Sequence, residues 1–261
     1  MTETIIMNRI REKFSRAAAH YEKLTGLQQA VGLKLLKEIN VKEASRILDV
    51  GMGTGWVTEQ LCRAYPSAKI IGIDFALGML QLAQKKKCRF KTVAADARRI
   101  PFQDATHDTV ISNLAYQWVE DLSLAFSEVY RVLKSGGGFF FSTFGNKTLE
   151  ELFFAIRNVF SDEKIGNFCY YPLASRGKIV ETLSYHQFDD IYVSSELIRV
   201  SFKDVKTLLR WLKSIGANAS RQDMFLGKES LEKIDQCYRE HFSRKGQIFA
   251  TFETLWLSAR K

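Results

Sequence analysis

Short apolar runs alternate with stretches of helical spacing over residues 46 to 144. RILDVG (Arg46 to Gly51), KIIGID (Lys69 to Asp74), FKTVAAD (Phe90 to Asp96), DTVISN (Asp108 to Asn113) and GFFFSTF (Gly138 to Phe144) read as strands. Between them WVTEQLCRAY, MLQLAQKK and LSLAFSEVYRVL carry apolar residues three and four apart, the spacing of amphipathic helices. Strand and helix in strict alternation predict an α/β fold: a mostly parallel sheet with helices on both faces.

The flanks differ. From Ile5 to about Leu36 the apolar positions Ile10, Phe14, Ala17, Ala18, Tyr21 and Leu24 predict one or two helices ahead of the first strand. After Phe144 the rhythm breaks: KTLEELFFAIRNVF (Lys147 to Phe160) predicts a long amphipathic helix, and NFCYYPLAS fits no regular pattern. The strand-like DDIYVSSELIRV, the helical VKTLLRWLKSI, a helix from Leu231 to Phe242 and the strand FATFETLWLSA complete the chain. The expected organisation is a helical cap over residues 1–45, a Rossmann-like core over 46–145, and a lid or substrate insertion with completion of the sheet over 146–261, all in one structural domain.

Composition adds little to the fold but narrows the setting. At 261 residues and 46% hydrophobic the chain buries a full core. It shows neither a secretory h-region nor eighteen uninterrupted apolar residues, so the expected location is the cytoplasm with no membrane partner. Cys62, Cys88, Cys169 and Cys237 form no CxxC, which points to no metal site and no redox pair. The net charge of +9 favours acidic partners, but the basic residues form no dense block with interleaved aromatics, so nucleic acid is not the expected one.

The chemistry concentrates at LDVGMGTGW. Asp49 ends a predicted strand, and Gly51, Gly53 and Gly55 form GxGxG at the strand-to-helix turn, where a Cβ would block approach of a ligand to the backbone. A dinucleotide loop places its third glycine one residue later, to bring a helix N-terminus to a pyrophosphate, whereas Trp56 stands there. The pattern instead suits a ligand with an ammonium group. Asp49 is placed for that ammonium, Asp74 for two ribose hydroxyls, and Asp96 for an exocyclic amine. Any one of these aspartates also reads as a simple helix cap. Three of them ending three successive strands favour a ligand site, because open α/β sheets bind ligands along that edge.

LDVGMGTG, GID (Gly72 to Asp74), ADARRIPF (Ala95 to Phe102) and RVLKSGG (Arg131 to Gly137) together resemble the class I S-adenosylmethionine (SAM)-dependent methyltransferases, whose Rossmann-like sheet has seven strands. That resemblance implies SAM as cofactor, with Asp49 and the glycines on its methionine part, Asp74 on the ribose, Met79, Asp96 and Ala97 around the adenine, and Asn113 alongside. A narrower resemblance rests on FSRAAAHYEKLTGLQQ, NLAYQWVEDL (Asn113 to Leu122), FSTFGNKTLEEL and LLRWLKSIGAN. It is to the malonyl-ACP O-methyltransferase family of biotin synthesis. The departures are Tyr116 where that family usually has Leu, Ser135 where it has Pro, and Met52 where Cys is common.

The family implies methyl transfer to the free carboxylate of a malonyl group on acyl carrier protein. A carboxylate is ionised at neutral pH and the methyl is already activated, so no general base is required. Tyr21, Gln117 and Trp118 are the expected positioning residues, and Arg176, Arg199 or Arg210 the expected partner of the acceptor carboxylate. Rival readings are a methyltransferase for small free acids of the aconitate type and a SAM-binding accessory factor that transfers nothing.

Overall fold

The computed structural model describes residues 3–39, 45–160, 173–216 and 227–261. Two helices come first, α1 (Glu3–Leu24) and α2 (Gly26–Glu38). Then follow β1 (Arg46–Val50), α3 (Trp56–Ala64), β2 (Lys69–Asp74), α4 (Leu77–Ala83), β3 (Phe90–Ala94) and β4 (His107–Asn113). A short 3₁₀ turn (Tyr116–Trp118) leads to α5 (Leu122–Val132) and β5 (Leu133–Phe144). The chain continues through α6 (Glu150–Val159), α7 (Arg176–Tyr185), β6 (Asp189–Phe202), α8 (Val205–Ser214), α9 (Lys228–Phe242), the two-residue β7 (Ser243–Arg244) and β8 (Gln247–Arg260).

The strands form one sheet in the order β3-β2-β1-β4-β5-β8-β6, with β7 hydrogen-bonded to β8 outside that path. The expected seven strands are thus joined by one minor eighth. Pairing is parallel from β3 to β5, and β8 runs antiparallel between β5 and β6.

Because side chains alternate across a strand, each core strand feeds two layers. Ile47 and Ile111 point to one face and pack under Val31 and Leu35 of α2 and Val57 and Leu61 of α3. Their neighbours Leu48 and Val110 point to the other, beneath Phe126 and Val129 of α5 and Ile179 and Leu183 of α7. A one-residue slip would exchange these layers, which fixes the register. A third apolar group joins α6, α8 and α9 to the start of β8 through Leu152, Leu208, Tyr238 and Phe252.

The pattern missed α7. Ser175 caps it by accepting the Lys178 N–H, but its helical period rests on only Ile179 and Leu183 among polar neighbours. Of the segment NFCYYPLAS only Leu173 to Ser175 lie within the described residues, as do only Ser214 to Gly216 of SIGAN. Among the described residues no helix is long and apolar enough to cross a membrane.

The parallel register also builds the site. Val50 pairs with Ile73, Asp74 with Ala94, and Asp49 with Ile111. One step further along these strands, Gly51, Asp74, Asp96 and Asn113 come to a common edge, the carboxyl end of the parallel strands, where such sheets hold ligands.

Candidate functional site

All three loop glycines are left-handed, with φ of +71° at Gly51, +57° at Gly53 and +78° at Gly55. They do different work. A Cβ on Gly51 would lie 2.3 Å from the Cβ of Ala115, so this glycine lets the loop pass the turn after β4. Around Gly53 there is open space, which leaves its backbone free to meet a ligand. Gly55 faces Ala83 and Met52 at the start of α3 and lines none of the clefts, so its observed place is in packing.

Asp49 and Asp74 are both buried, and among the described residues neither pairs with a cation. Asp49 accepts the Thr58 hydroxyl at 2.6 Å; burial drives its pKa up to about 7, against the Thr58 hydrogen bond, with Asp74 adding to the rise. Asp74 accepts the Gly53 N–H and the Ala76 N–H, each at 2.8 Å. Burial lifts its pKa to about 6, and these backbone donors hold it from rising further. Each carboxylate keeps unused acceptor capacity in a place where water is scarce.

Two narrow clefts run along this edge. One, of about 80 Å³, is walled by Gly51, Gly53, Asp74, Met79, Asp96 and Ala97, with Asn113 at its end. The other, of about 50 Å³, lies between Asp49, the loop and α2. Asp96 is not free in its cleft: the Arg98 guanidinium grips it in a salt bridge at 2.8 Å and the Arg98 N–H bonds it as well. Burial raises the Asp96 pKa, but Arg98 outweighs that and the net shift is downward. Asn113 accepts the Ser142 hydroxyl and donates to the Gln28 carbonyl, tying β4 to β5 and α2.

The N-terminal helix roofs both clefts. Ile10, Phe14 and Ala18 pack on Ala76 and Met79, and a Cβ on Gly78 would stand 2.6 Å from the Ser15 carbonyl, so α1 and α4 touch. Glu22 fastens the far end of the roof, accepting the Thr54 hydroxyl at 2.7 Å and pairing with Lys86 at 2.8 Å. Tyr21 lines both clefts, and Phe14 stacks edge-on against Trp118 at 5.3 Å.

Tyr21 also opens on a third space, a mostly apolar cavity of about 350 Å³ reached past Leu114 and Trp118. Gln117 lines it too, so Tyr21, Gln117 and Trp118 are brought together. The three arginines are not. Arg176 begins α7, Arg199 lies over the Phe249 ring on β6 and Arg210 projects from α8; all are exposed and none lines the cavity, because each stands on the solvent side of its element. Among the described residues the cation that does line it is Arg157, at the end of α6. Sequence reasoning passed over it, although Leu149, Phe153 and Arg157 share a four-residue spacing that marks one helix face.

Gln28 was missed as well: it lies between the cavity and the Asp49 cleft, with a buried side-chain oxygen that has no hydrogen-bond partner. A larger hollow of about 930 Å³ beyond the 3₁₀ turn is lined by Glu120, Asp121 and Glu181, and its Lys178 is already paired with Glu181. It is the wrong sign for an anion.

Two of the departures from the resembled pattern have local reasons, and Ser135 has none in the structure. Met52 fills space under Gly72, where a Cβ would meet its sulfur at 2.2 Å, and Tyr116 sits in an aromatic nest of Phe126, Phe139 and Phe141. The fold adds one contact to the cysteine pattern. Cys62 and Cys88, far apart in sequence, lie against each other; burial and then the Cys88 thiol push the Cys62 pKa to about 11. Cys169 lies outside the described residues.

A family model for a methyltransferase domain matches residues 48–141, the segment that carries the loop and the carboxylates. Among solved structures, the YcgJ protein from Bacillus subtilis superposes with a TM-score of 0.63 at 18% identity, covering 89% of this chain and 98% of that one. A phosphoethanolamine N-methyltransferase from Haemonchus contortus, solved with S-adenosyl-L-methionine, gives 0.61 at 19% identity over 95% of this chain and 57% of that one. At such identities these two show the fold. Among curated proteins, the malonyl-[acyl-carrier protein] O-methyltransferase of Gallionella capsiferriformans is 34% identical over 100% of this chain and 93% of its own length. That of Methylococcus capsulatus is 33% identical over 93% and 89%. With kinship that spans the chain and a glycine loop, buried carboxylates and roofed clefts at the sheet edge, the chain belongs to the malonyl-[acyl-carrier protein] O-methyltransferase family of SAM-dependent methyltransferases.

Proposed function

We propose that the protein transfers a methyl group from SAM to the free carboxylate of a malonyl group borne by acyl carrier protein, forming the malonyl-ACP methyl ester and S-adenosylhomocysteine. The observation that carries this reading is the 34% identity, over the whole chain, to a protein named for that reaction. In the resembled family the step belongs to biotin synthesis, a cytoplasmic setting.

The residues at the sheet edge fit the cofactor. Gly53 leaves the room that a side chain would occupy, and Asp49 and Asp74 are buried acceptors with no cation partner among the described residues. In this reading Asp49 takes the ammonium, whose charge would draw its raised pKa down and keep it ionised. Asp74, held by two backbone N–H groups, offers its remaining lone pairs to the ribose hydroxyls. Met79 and Ala97 supply apolar walls for the adenine, with Asp96, Asn113 and the backbone of Gly51 beside them. Gly55 supports the loop from behind.

When bound, SAM supplies a methyl already activated on a sulfonium. The acceptor carboxylate is ionised at neutral pH, so no side chain has to remove a proton. The work left to this chain is placement and exclusion of water, and alignment of reacting groups is worth up to about 7–11 kcal/mol. Tyr21 is suited to it, because it touches both clefts and the acceptor cavity. Burial, with Asp74 nearby, raises the Tyr21 pKa, so its phenol stays protonated and acts as a hydrogen-bond donor. Trp118, Phe14 and Gln117 close the remaining sides.

The test is to incubate the purified protein with labelled SAM and, in parallel, malonyl-ACP, malonyl-CoA, free malonate and bulk RNA, scoring base-labile label. Label on malonyl-ACP is the expected result. Transfer only to free acids would favour the aconitate type, and SAM binding without any transfer would favour an accessory factor.

A further inference from the structure

The acceptor cavity is apolar over most of its wall, yet among the described residues that line it one carries a charge: Arg157. Among the described residues its guanidinium has no salt-bridge or hydrogen-bond partner, whereas Arg98, Arg131 and Arg239 on the same molecule are each tied to a carboxylate. A cation at the edge of an apolar cavity without a counter-charge is a place prepared for an anion from outside.

Its position says which end of the acceptor that anion belongs to. The cavity wall begins at Phe144, Asn146 and Thr148, just past the β5 residue Ser142 that pairs with Asn113 at the reacting edge. It then follows one face of α6 outward. Leu149 at the start is buried, Phe153 is half-buried and Arg157 is exposed. Eight residues of helix rise about 12 Å. Arg157 therefore stands at the mouth, while the carboxylate to be methylated must lie at the inner end, beside Tyr21 and Leu114.

We propose that Arg157 is an outer anion subsite that holds the phosphate ester of the acceptor's thioester arm, with the apolar wall taking the arm itself. This rests on the carrier-linked reading of the function. It also separates that reading from the free-acid one, since the second carboxylate of malonate is one methylene from the first and does not span the length of α6 to Arg157. A guanidinium matches a phosphate bidentately, and here it is used for binding rather than for chemistry.

The experiment compares two malonyl thioesters, one of phosphopantetheine and one of pantetheine, which lacks the phosphate, on the wild type, R157A and R157K. The wild type should prefer the phosphate-bearing thioester. R157A should lose about three- to tenfold in kcat/KM on it, through KM with kcat kept, and lose nothing on the phosphate-free one; R157K should recover part of the loss. Arg157 is exposed, so unchanged thermal melting is expected and would exclude a folding defect. Equal loss on both thioesters would overturn the proposal and move Arg157 to the reacting carboxylate. Equal wild-type rates on both would overturn it while leaving carboxyl methyl transfer standing. A wild type inactive on both thioesters but active on free acids would overturn the carrier-linked reading, and this proposal with it.

Discussion

Thr58 Oγ1 donates a 2.6 Å hydrogen bond to Asp49 Oδ2, and both side chains are out of reach of solvent. The bond reaches from the first turn of α3 back to the end of β1, so it sets the carboxylate against the glycine loop between them. Replacing Thr58 by Val keeps the shape and removes the donor. An unsatisfied buried acceptor costs about 1–3 kcal/mol. T58V should lower stability by that amount and weaken SAM binding, as chemical denaturation and calorimetric titration would read.

The raised pKa of Asp49 makes a prediction about pH with a definite sign. In the unfolded chain the group releases its proton near 4, whereas in the fold it holds it to about 7. Between those values the folded state binds more protons, so the contribution of Asp49 to stability is full below pH 4 and falls as pH rises to 7. His107 works the other way: burial, then Arg46, depress its pKa to about 4, and its contribution is lost on acidification below about 6.5. The difference between wild type and D49N isolates the first effect. D49N should gain on the wild type, by a few kcal/mol on the order of the full linkage, as pH is raised from 4 to 7. Melting curves without SAM would check this, and a pH-independent difference would contradict the burial of an ionisable Asp49.

Two glycines a residue apart should fail differently. G51A drives a Cβ into Ala115 at a positive φ, so it should destabilise the protein by more than the ~1–3 kcal/mol of backbone strain alone. G53A has open space and carries the strain only. Its main loss should be in SAM affinity, measured by titration, with a smaller change in melting temperature than G51A shows.

The roof over the clefts hangs on Glu22. Its partners Thr54 and Lys86 belong to the loop and to the turn that follows α4, and Glu22 itself is partly exposed. A pair of that exposure contributes at most about 1 kcal/mol. E22Q should therefore weaken SAM binding by no more than about fivefold, more at low salt than at high, with thermal stability nearly kept. An unchanged affinity across ionic strength would mean that α1 is held by Ile10, Phe14 and Ala18 alone.

The parallel half of this site was legible in the sequence because each part of it is local. Asp49, Asp74 and Asp96 stand at or just past the ends of three strands that are each marked by a short local run, and parallel strands in register bring such ends together without further information. What was not legible depends on long-range packing. Arg157 belongs to the cavity because α6 folds back beside α9 and β8; its spacing from Leu149 and Phe153 marks a helix face but not what that face meets. The contact of Cys62 with Cys88 likewise depends on α3 meeting the loop before β3. Helix α7 was lost for the opposite reason, since its short apolar period is hidden among Gly177, Thr182 and Ser184.

The most direct measurement locates the methyl group on malonyl-ACP after incubation with SAM. Malonyl thioesters offer two nucleophiles, the free carboxylate and the central carbon, and mild base separates them because it hydrolyses an ester and leaves a carbon-bound methyl in place. Label released as methanol, and lost in the D49A variant, is the predicted result. Label recovered after base as non-volatile methylmalonate, freed as the thioester is hydrolysed too, would contradict carboxyl methylation while leaving the SAM site intact.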